Sequence, residues 1–149
     1  MFETLTLKSA MYVAHNMRQR DKDSLDALIG ASNPDTFAIG RWQMDGAAWA
    51  MIESNPVAIG GIAMPVPWVG HFWLVCTDDM TMQSWKKLIR QTRTILRNAS
   101  KTVQRLEADV LSDWPEAERL VHHLGFELEG TRKKAGRDGQ DILTFTYKG

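Results

Sequence analysis

Histidine and cysteine carry much of the proton transfer and nucleophilic chemistry that proteins perform near neutral pH. This chain has four histidines and one cysteine. His71 opens an apolar run, His71 to Thr77, where it is placed to act as a base at a strand end, although a structural strand-edge histidine suits the same position. His122 and His123 are adjacent and diverge on a helix, so they do not share a metal ion, and no other cluster has metal-ligand spacing. Cys76 ends the apolar run and reads as a small buried hydrophobe rather than a nucleophile. A single cysteine excludes an intrachain disulfide framework and fits a reducing compartment. The remaining signal is electrostatic. Lys86, Arg90, Arg93, Arg97 and Lys101 recur at a spacing that places them on one helical face, and no acid occurs between Asp79 and Glu107. Such a stripe suits nucleic-acid phosphates or an acidic partner surface. It also suits a solvated face balanced by acids elsewhere in the fold.

The elements that must position these residues follow from hydrophobic period and punctuation. Phe2 to Lys8 alternates as a short strand, and Ser9 is set to cap a first helix carrying Met11, Tyr12, Ala14 and Met17. A second helix spans about Asp21 to Ile29, closed by Gly30. Ala47–Glu53 and Val57–Met64 read as a hairpin across Ser54-Asn55-Pro56, with Pro65-Val66-Pro67 ending the second strand. Gly60-Gly61 within that strand marks a bulge or a close packing point. His71–Thr77 is a third, central strand. Thr77-Asp78-Asp79 offers capping oxygens to a long helix, Met82 to about Ala99, whose apolar positions Trp85, Leu88, Ile89, Ile95 and Leu96 keep a 3.6-residue period. Val103–Leu111 follows as a strand, Pro115–Leu124 as a helix ended by Gly125, and Phe126–Lys133 with Asp141–Tyr147 as a last hairpin. The order β-α-α-β-β-β-α-β-α-β-β describes an α/β (α+β) mixed sheet with helices on its faces, in one domain over residues 1–149.

Composition agrees with a globular chain. Its 149 residues are 44% hydrophobic and 24% charged, and 18 basic residues balance 18 acidic ones. A globally basic coat or an acidic tail is thereby excluded, but a local patch is not. The N-terminus lacks the basic-then-apolar pattern of a signal peptide, and the longest apolar stretch is broken by Pro and Gly, so no membrane span is expected. Six tryptophans stand beside two tyrosines. Trp49 and Trp73 read as core, and Trp42 and Trp68 as edge or contact residues.

The element order resembles the GNAT acetyltransferase superfamily, and Glu116 to Gly130, with its Leu124-Gly125-Phe126 close, resembles the last helix and following strand of that family. Asn16 to Leu25 and Trp73 to Asp78 resemble a narrower group, small GNAT-like proteins of short-tailed phages, some of which are internal virion proteins for assembly or DNA ejection.

The resemblance implies an acetyl-CoA loop of the form Arg/Gln-x-x-Gly-x-Gly/Ala between the central strand and the long helix. Here Thr77 to Trp85 contains no glycine: Met80 stands for the Arg/Gln, and Gln83 and Trp85 take the glycine positions. Glycines matter there because backbone N–H groups must approach the phosphates, and Asp78 and Asp79 add repelling charge. The family's general-acid tyrosine position holds Val121, which donates no proton; His122 or His123 would have to substitute. Trp114 stands where the family often has an Asn near the cofactor.

The resemblance with these departures implies a phage or prophage protein with a degenerate loop, serving as an assembly, ejection or interaction module, with no cofactor expected. Its partners would be other phage or virion proteins, it could form an oligomer, and it would reside in the bacterial host cytoplasm or be packaged in the virion. If it is instead an active N-acetyltransferase, acetyl-CoA would bind at Thr77, Met80, Gln83 and Ser84, with His71 and His122 catalytic. Nucleic-acid binding through the long helix is the third reading.

Overall fold

The computed structural model describes residues 1–31 and 33–149. The elements are β1 (Phe2–Thr4), α1 (Leu7–Asn16), α2 (Gln19–Ile29), α3 (Pro34–Gln43), β2 (Gly46–Ile52), β3 (Pro56–Val66), β4 (Val69–Cys76), α4 (Met82–Ala99), β5 (Arg105–Leu111), α5 (Pro115–His123), β6 (Phe126–Arg132) and β7 (Ile142–Tyr147). This is the expected order with one helix added, α3, in a segment whose sequence had no assignment. Asn33 caps it through Thr36 N–H, and Pro34 sits in its first turn, where a missing N–H is harmless.

Several boundaries move for local reasons. β1 stops at Thr4, not Lys8, because Thr6 and Ser9 form a reciprocal capping box that starts α1 early. Ser9 is therefore the third helical residue rather than the cap. β3 continues through Pro65 to Val66 and turns directly into β4, which begins at Val69. Thr81 caps α4, not the Thr77-Asp78-Asp79 group, because its hydroxyl oxygen reaches the Ser84 N–H at 3.1 Å.

The seven strands form one sheet in the order β1-β2-β3-β4-β5-β7-β6. α1 and α3 cover one face, where Ala10, Val13, Phe37 and Ala38 pack on Trp73 and Val75. α4 and α5 cover the other, where Leu96, Val121 and Leu124 pack on Phe72, Ala108 and Phe126. Trp49 and Trp73 are core residues, whereas Trp42 and Trp68 are about half exposed. Gly60 and Gly61 form no bulge, since their pairing with Trp49 and Trp73 is in unbroken register. They are close packing points: a Cβ on Gly61 would lie 2.7 Å from the Ala47 carbonyl oxygen and 2.8 Å from the Trp73 indole nitrogen. Gly125 takes φ +105°, which lets the chain leave α5 and turn Phe126 into the core.

One pairing decides where a site can form. β4 and β5 are parallel and pair only at Val69–Arg105, Gly70–Leu106 and His71–Glu107. Beyond His71, β4 pairs only with β3, while β5 pairs with β7. The sheet therefore splits at His71 and Glu107.

Candidate functional site

The split opens a cavity of about 520 Å3 that reaches both faces of the sheet, within the size range of small-molecule sites. Phe72, Leu74, Ala108 and Val110 line it from the strands, Ile89, Ala117 and Leu120 from α4 and α5, and Leu25 and Leu28 from α2. This apolar lining carries a few charged groups.

The first charged group lies where α1 passes into α2. Met17 forms an isolated bridge with Thr77, and the Arg18 N–H donates to the Cys76 carbonyl at 3.0 Å, so this linker is stitched to the end of β4. The Arg18 side chain donates to Asp21 at 2.6 Å. Its guanidinium lies 5.4 Å from the Trp85 ring centre and 5.6 Å from that of Trp114, bridging α4 to the start of α5 by cation–π contact. Arg20 also lies over the Trp114 ring, 5.2 Å from its centre. Burial pushes the Asp21 carboxyl up, and the Arg18 hydrogen bond only partly offsets that. Cys76 is fully buried beside this pair, and burial pushes its thiol up.

The second group stands at the apex of the split. His71 Nδ1 is 3.5 Å from Glu107, which accepts a 2.9 Å hydrogen bond from Arg105; Arg105 also grips Glu129 with two. Burial alone would raise the Glu107 carboxyl, but Arg105 and His71 outweigh it and hold it below the usual range. A histidine oriented by a carboxylate at a cavity wall is a proton-accepting arrangement. The third group is Arg41, at the end of α3. Its guanidinium lies 4.8 Å from the Trp73 ring centre and 5.2 Å from that of Phe37, and burial lowers its pKa, with no carboxylate within 4.0 Å among the described residues to oppose it.

The loop from β4 to α4 is turned inward on itself. Thr77 is buried, and its hydroxyl oxygen accepts from the Asp79 N–H. Thr81 takes the Ser84 and Trp85 N–H groups with its side-chain and backbone oxygens. The Ser84 hydroxyl donates to Glu53, whose carboxylate also lies 3.8 Å from Lys87. Met80 packs against the buried cluster of Met51, Val57, Ala58, Cys76 and Leu88, and Met82 and Gln83 are exposed. An acyl-CoA pyrophosphate needs free, convergent N–H donors at a helix start. Here the Asp79 and Ser84 N–H groups are taken by threonine hydroxyls, Glu53 supplies the negative charge that the helix end favours, and no glycine permits close approach. These residues do not fit the group.

Of the residues named from sequence, His71 lines the cavity, whereas Thr77, Met80, Gln83, Ser84 and His122 do not. His122 sets its ring edge-on to Phe145, 5.4 Å between centres, while its neighbour His123 lines the cavity. Lys86, Arg90, Arg93 and Arg97 form an exposed row on α4. Lys101 lies beyond the helix end at Ala99, so the helical stripe holds four of the five cations. Among the described residues none of the five is in an ion pair within 4.0 Å, so no acid elsewhere in the fold balances them directly. Arg18, Asp21 and Arg41 were not foreseen. The i,i+3 spacing of Arg18 and Asp21 was a usable signal, but Arg41 had none, because its setting depends on Trp73 of a distant strand. Among the described residues no group of His, Cys, Asp or Glu is placed to hold a metal ion, and no helix is long and apolar enough to cross a membrane.

No protein-family model and no curated protein matches this sequence. Solved structures do. The chain is similar to the ribosomal-protein-alanine N-acetyltransferase of Brucella melitensis (TM-score 0.75, 13% identity, 98% of each chain covered). It is similar to yncA of Salmonella typhimurium, solved with its cofactor acetyl-CoA (TM-score 0.75, 10% identity, 99% of this chain and 92% of that one). It is also similar to an acetyltransferase of the GNAT family from Streptococcus pneumoniae (TM-score 0.66, 16% identity, 98% and 96% covered). The fold is the GNAT acetyltransferase fold.

Proposed function

We propose that this GNAT-fold chain has set aside efficient acetyl transfer from acetyl-CoA and works as an interaction module. The observation that carries this is the start of α4, where Thr81 takes the Ser84 N–H, the Ser84 hydroxyl holds the Glu53 carboxylate, and no glycine lets a phosphate approach. Resemblance of Asn16–Leu25 and Trp73–Asp78 to small proteins of short-tailed phages supports a phage or prophage setting, with virion assembly or DNA ejection as the task and other virion proteins as partners. Those two stretches meet in space through the Met17–Thr77 bridge and the Arg18–Cys76 hydrogen bond. The test is calorimetric titration with acetyl-CoA. The expected result is no saturable heat up to about 1 mM, equivalent to binding weaker than about −4 kcal/mol. Micromolar binding would sink the proposal and return the chain to acetyl transfer, with His71 as the base to mutate first.

A second reading has its own observation, the unpaired cations of α4. Lys86 to Arg97 spans about 17 Å of helix at 1.5 Å per residue, enough to follow several phosphates of a nucleic acid. Binding of duplex DNA that falls steeply with salt, and weakens when Arg90, Arg93 and Arg97 are changed to Gln, is expected from it. Affinity unchanged in that triple variant removes it.

A further inference from the structure

The charges lining the cavity can be matched one by one. Asp21 has Arg18 at 2.6 Å, Asp109 has Arg132 at 2.7 Å, and Glu116 has Arg119 at 3.9 Å. Arg41 is the lining arginine left over: no carboxylate lies within 4.0 Å of it among the described residues, and its one hydrogen-bond acceptor there is the Met44 thioether sulfur at 3.5 Å, a weak one. The guanidinium lies over the rings of Trp73 and Phe37, which stand at 87° to each other, so at most one of them stacks on its plane; with a single weak acceptor, it keeps N–H donors for an added carboxylate. Burial has removed part of its hydration, which lowers its pKa and strengthens any anion contact it makes. The apolar lining of the cavity includes Leu25, which packs with Phe37, Trp73 and Val75, and Leu28 further along α2.

We propose that the cavity binds a small carboxylate with an apolar body, its carboxylate gripped by Arg41 and its body lying between Trp73 and the α2 leucines. A bidentate carboxylate matches the guanidinium edge, and the body replaces water against apolar walls. The other acids of the cavity repel such a ligand little, because Asp21 and Asp109 each hold an arginine in close contact and Glu116 is exposed to solvent with Arg119 nearby. The site lies within the split and uses none of the residues at the start of α4. Acetyl-CoA binding and carboxylate binding can therefore fail independently.

The test is titration of the whole chain with benzoate and hexanoate and with their neutral counterparts benzamide and hexanamide, read by calorimetry and tryptophan fluorescence. The acids should bind saturably, and the amides at least about tenfold more weakly, the size of one charge-assisted hydrogen bond. Arg41→Met should reduce acid binding to the level of the amides, and Arg41→Lys should retain part of it. Lys133→Gln, exposed just after β6 and away from the cavity, should leave acid binding unchanged. Equal affinity for acid and amide, unchanged acid binding in folded Arg41→Met, or no saturation by about 10 mM would overturn the proposal. If Arg41→Met does not fold, the acid–amide comparison on the native chain and Arg41→Lys decides it.

Discussion

The two sides of the sheet split treat their polar groups in opposite ways. On the α4 side, Thr77, Thr81, Ser84 and Glu53 answer one another, and Arg18 joins Asp21, Trp85 and Trp114 into one unit. On the α3 side, Arg41 stands without an anion, and His71 meets Glu107 at the 3.5 Å limit of a hydrogen bond. Groups that satisfy one another hold a fold together, whereas groups left wanting hold it weakly and are available to a ligand. The structural neighbours share the architecture, but in this chain the satisfied side is the one where a GNAT enzyme would receive its cofactor.

That contrast can be broken by measurement, starting where the effect is largest. Arg18→Ala strands Asp21, which is 3% exposed, and should lower stability in urea at pH 7 by about 2–3 kcal/mol, below the usual figure for breaking a buried pair because Arg18 is partly exposed. The loss should shrink as pH falls from neutral toward the ordinary carboxylate range. A carboxyl whose folded pKa is raised favours the folded state as it takes up its proton, and removing Arg18 raises Asp21 further. A loss that does not vary with pH would mean that Asp21 is not its cause. Thr81→Ala should follow at about 1 kcal/mol, as for an ordinary N-cap. A neutral result there would show that the start of α4 does not depend on its own oxygens.

Across the split, Glu107→Gln should be milder, about 0.5 kcal/mol, given solvent screening. Glu107 sits below its ordinary value of 4.5, so its contribution is complete above that value and disappears as pH falls through the lowered one. Wild type and variant should therefore differ at pH 6 and converge in strong acid. His71→Gln should be smallest, within about 0.5 kcal/mol. A large loss there would place His71 among the structural groups and erase the difference between the two sides.

The fold was legible wherever one strong period dominated. α4 runs over Met82–Ala99 as its apolar stripe foretells, and the order of strands is the expected one. α3 was missed because its stripe is poor: Phe37 and Ala38 are buried, but Ile39 and Trp42 on the same helix are exposed. Asn33-Pro34 was the available signal. The cap of α4 was misplaced because Thr77, Asp78, Asp79 and Thr81 all offer oxygens, and the choice among them depends on where Ser84 falls. In the site, His71 stood out by its type and position, but its partner Glu107 comes from a parallel strand whose register no local pattern reveals. Arg41 was invisible for the same reason, since nothing in the sequence around it announces Trp73.

Cys76 gives the chain an internal clock. It is the sole cysteine, completely buried, with its thiol held in the protonated form by burial, and its carbonyl is tied to Arg18. An alkylating reagent added under native conditions meets no thiolate until the packing of Cys76 with Met51, Val57, Ala58 and Leu88 opens. When reclosing outpaces alkylation, the labelling rate divided by that of an unfolded thiol gives the fraction of time spent open, one molecule-wide number from one atom. No added probe and no engineered site is needed to follow it.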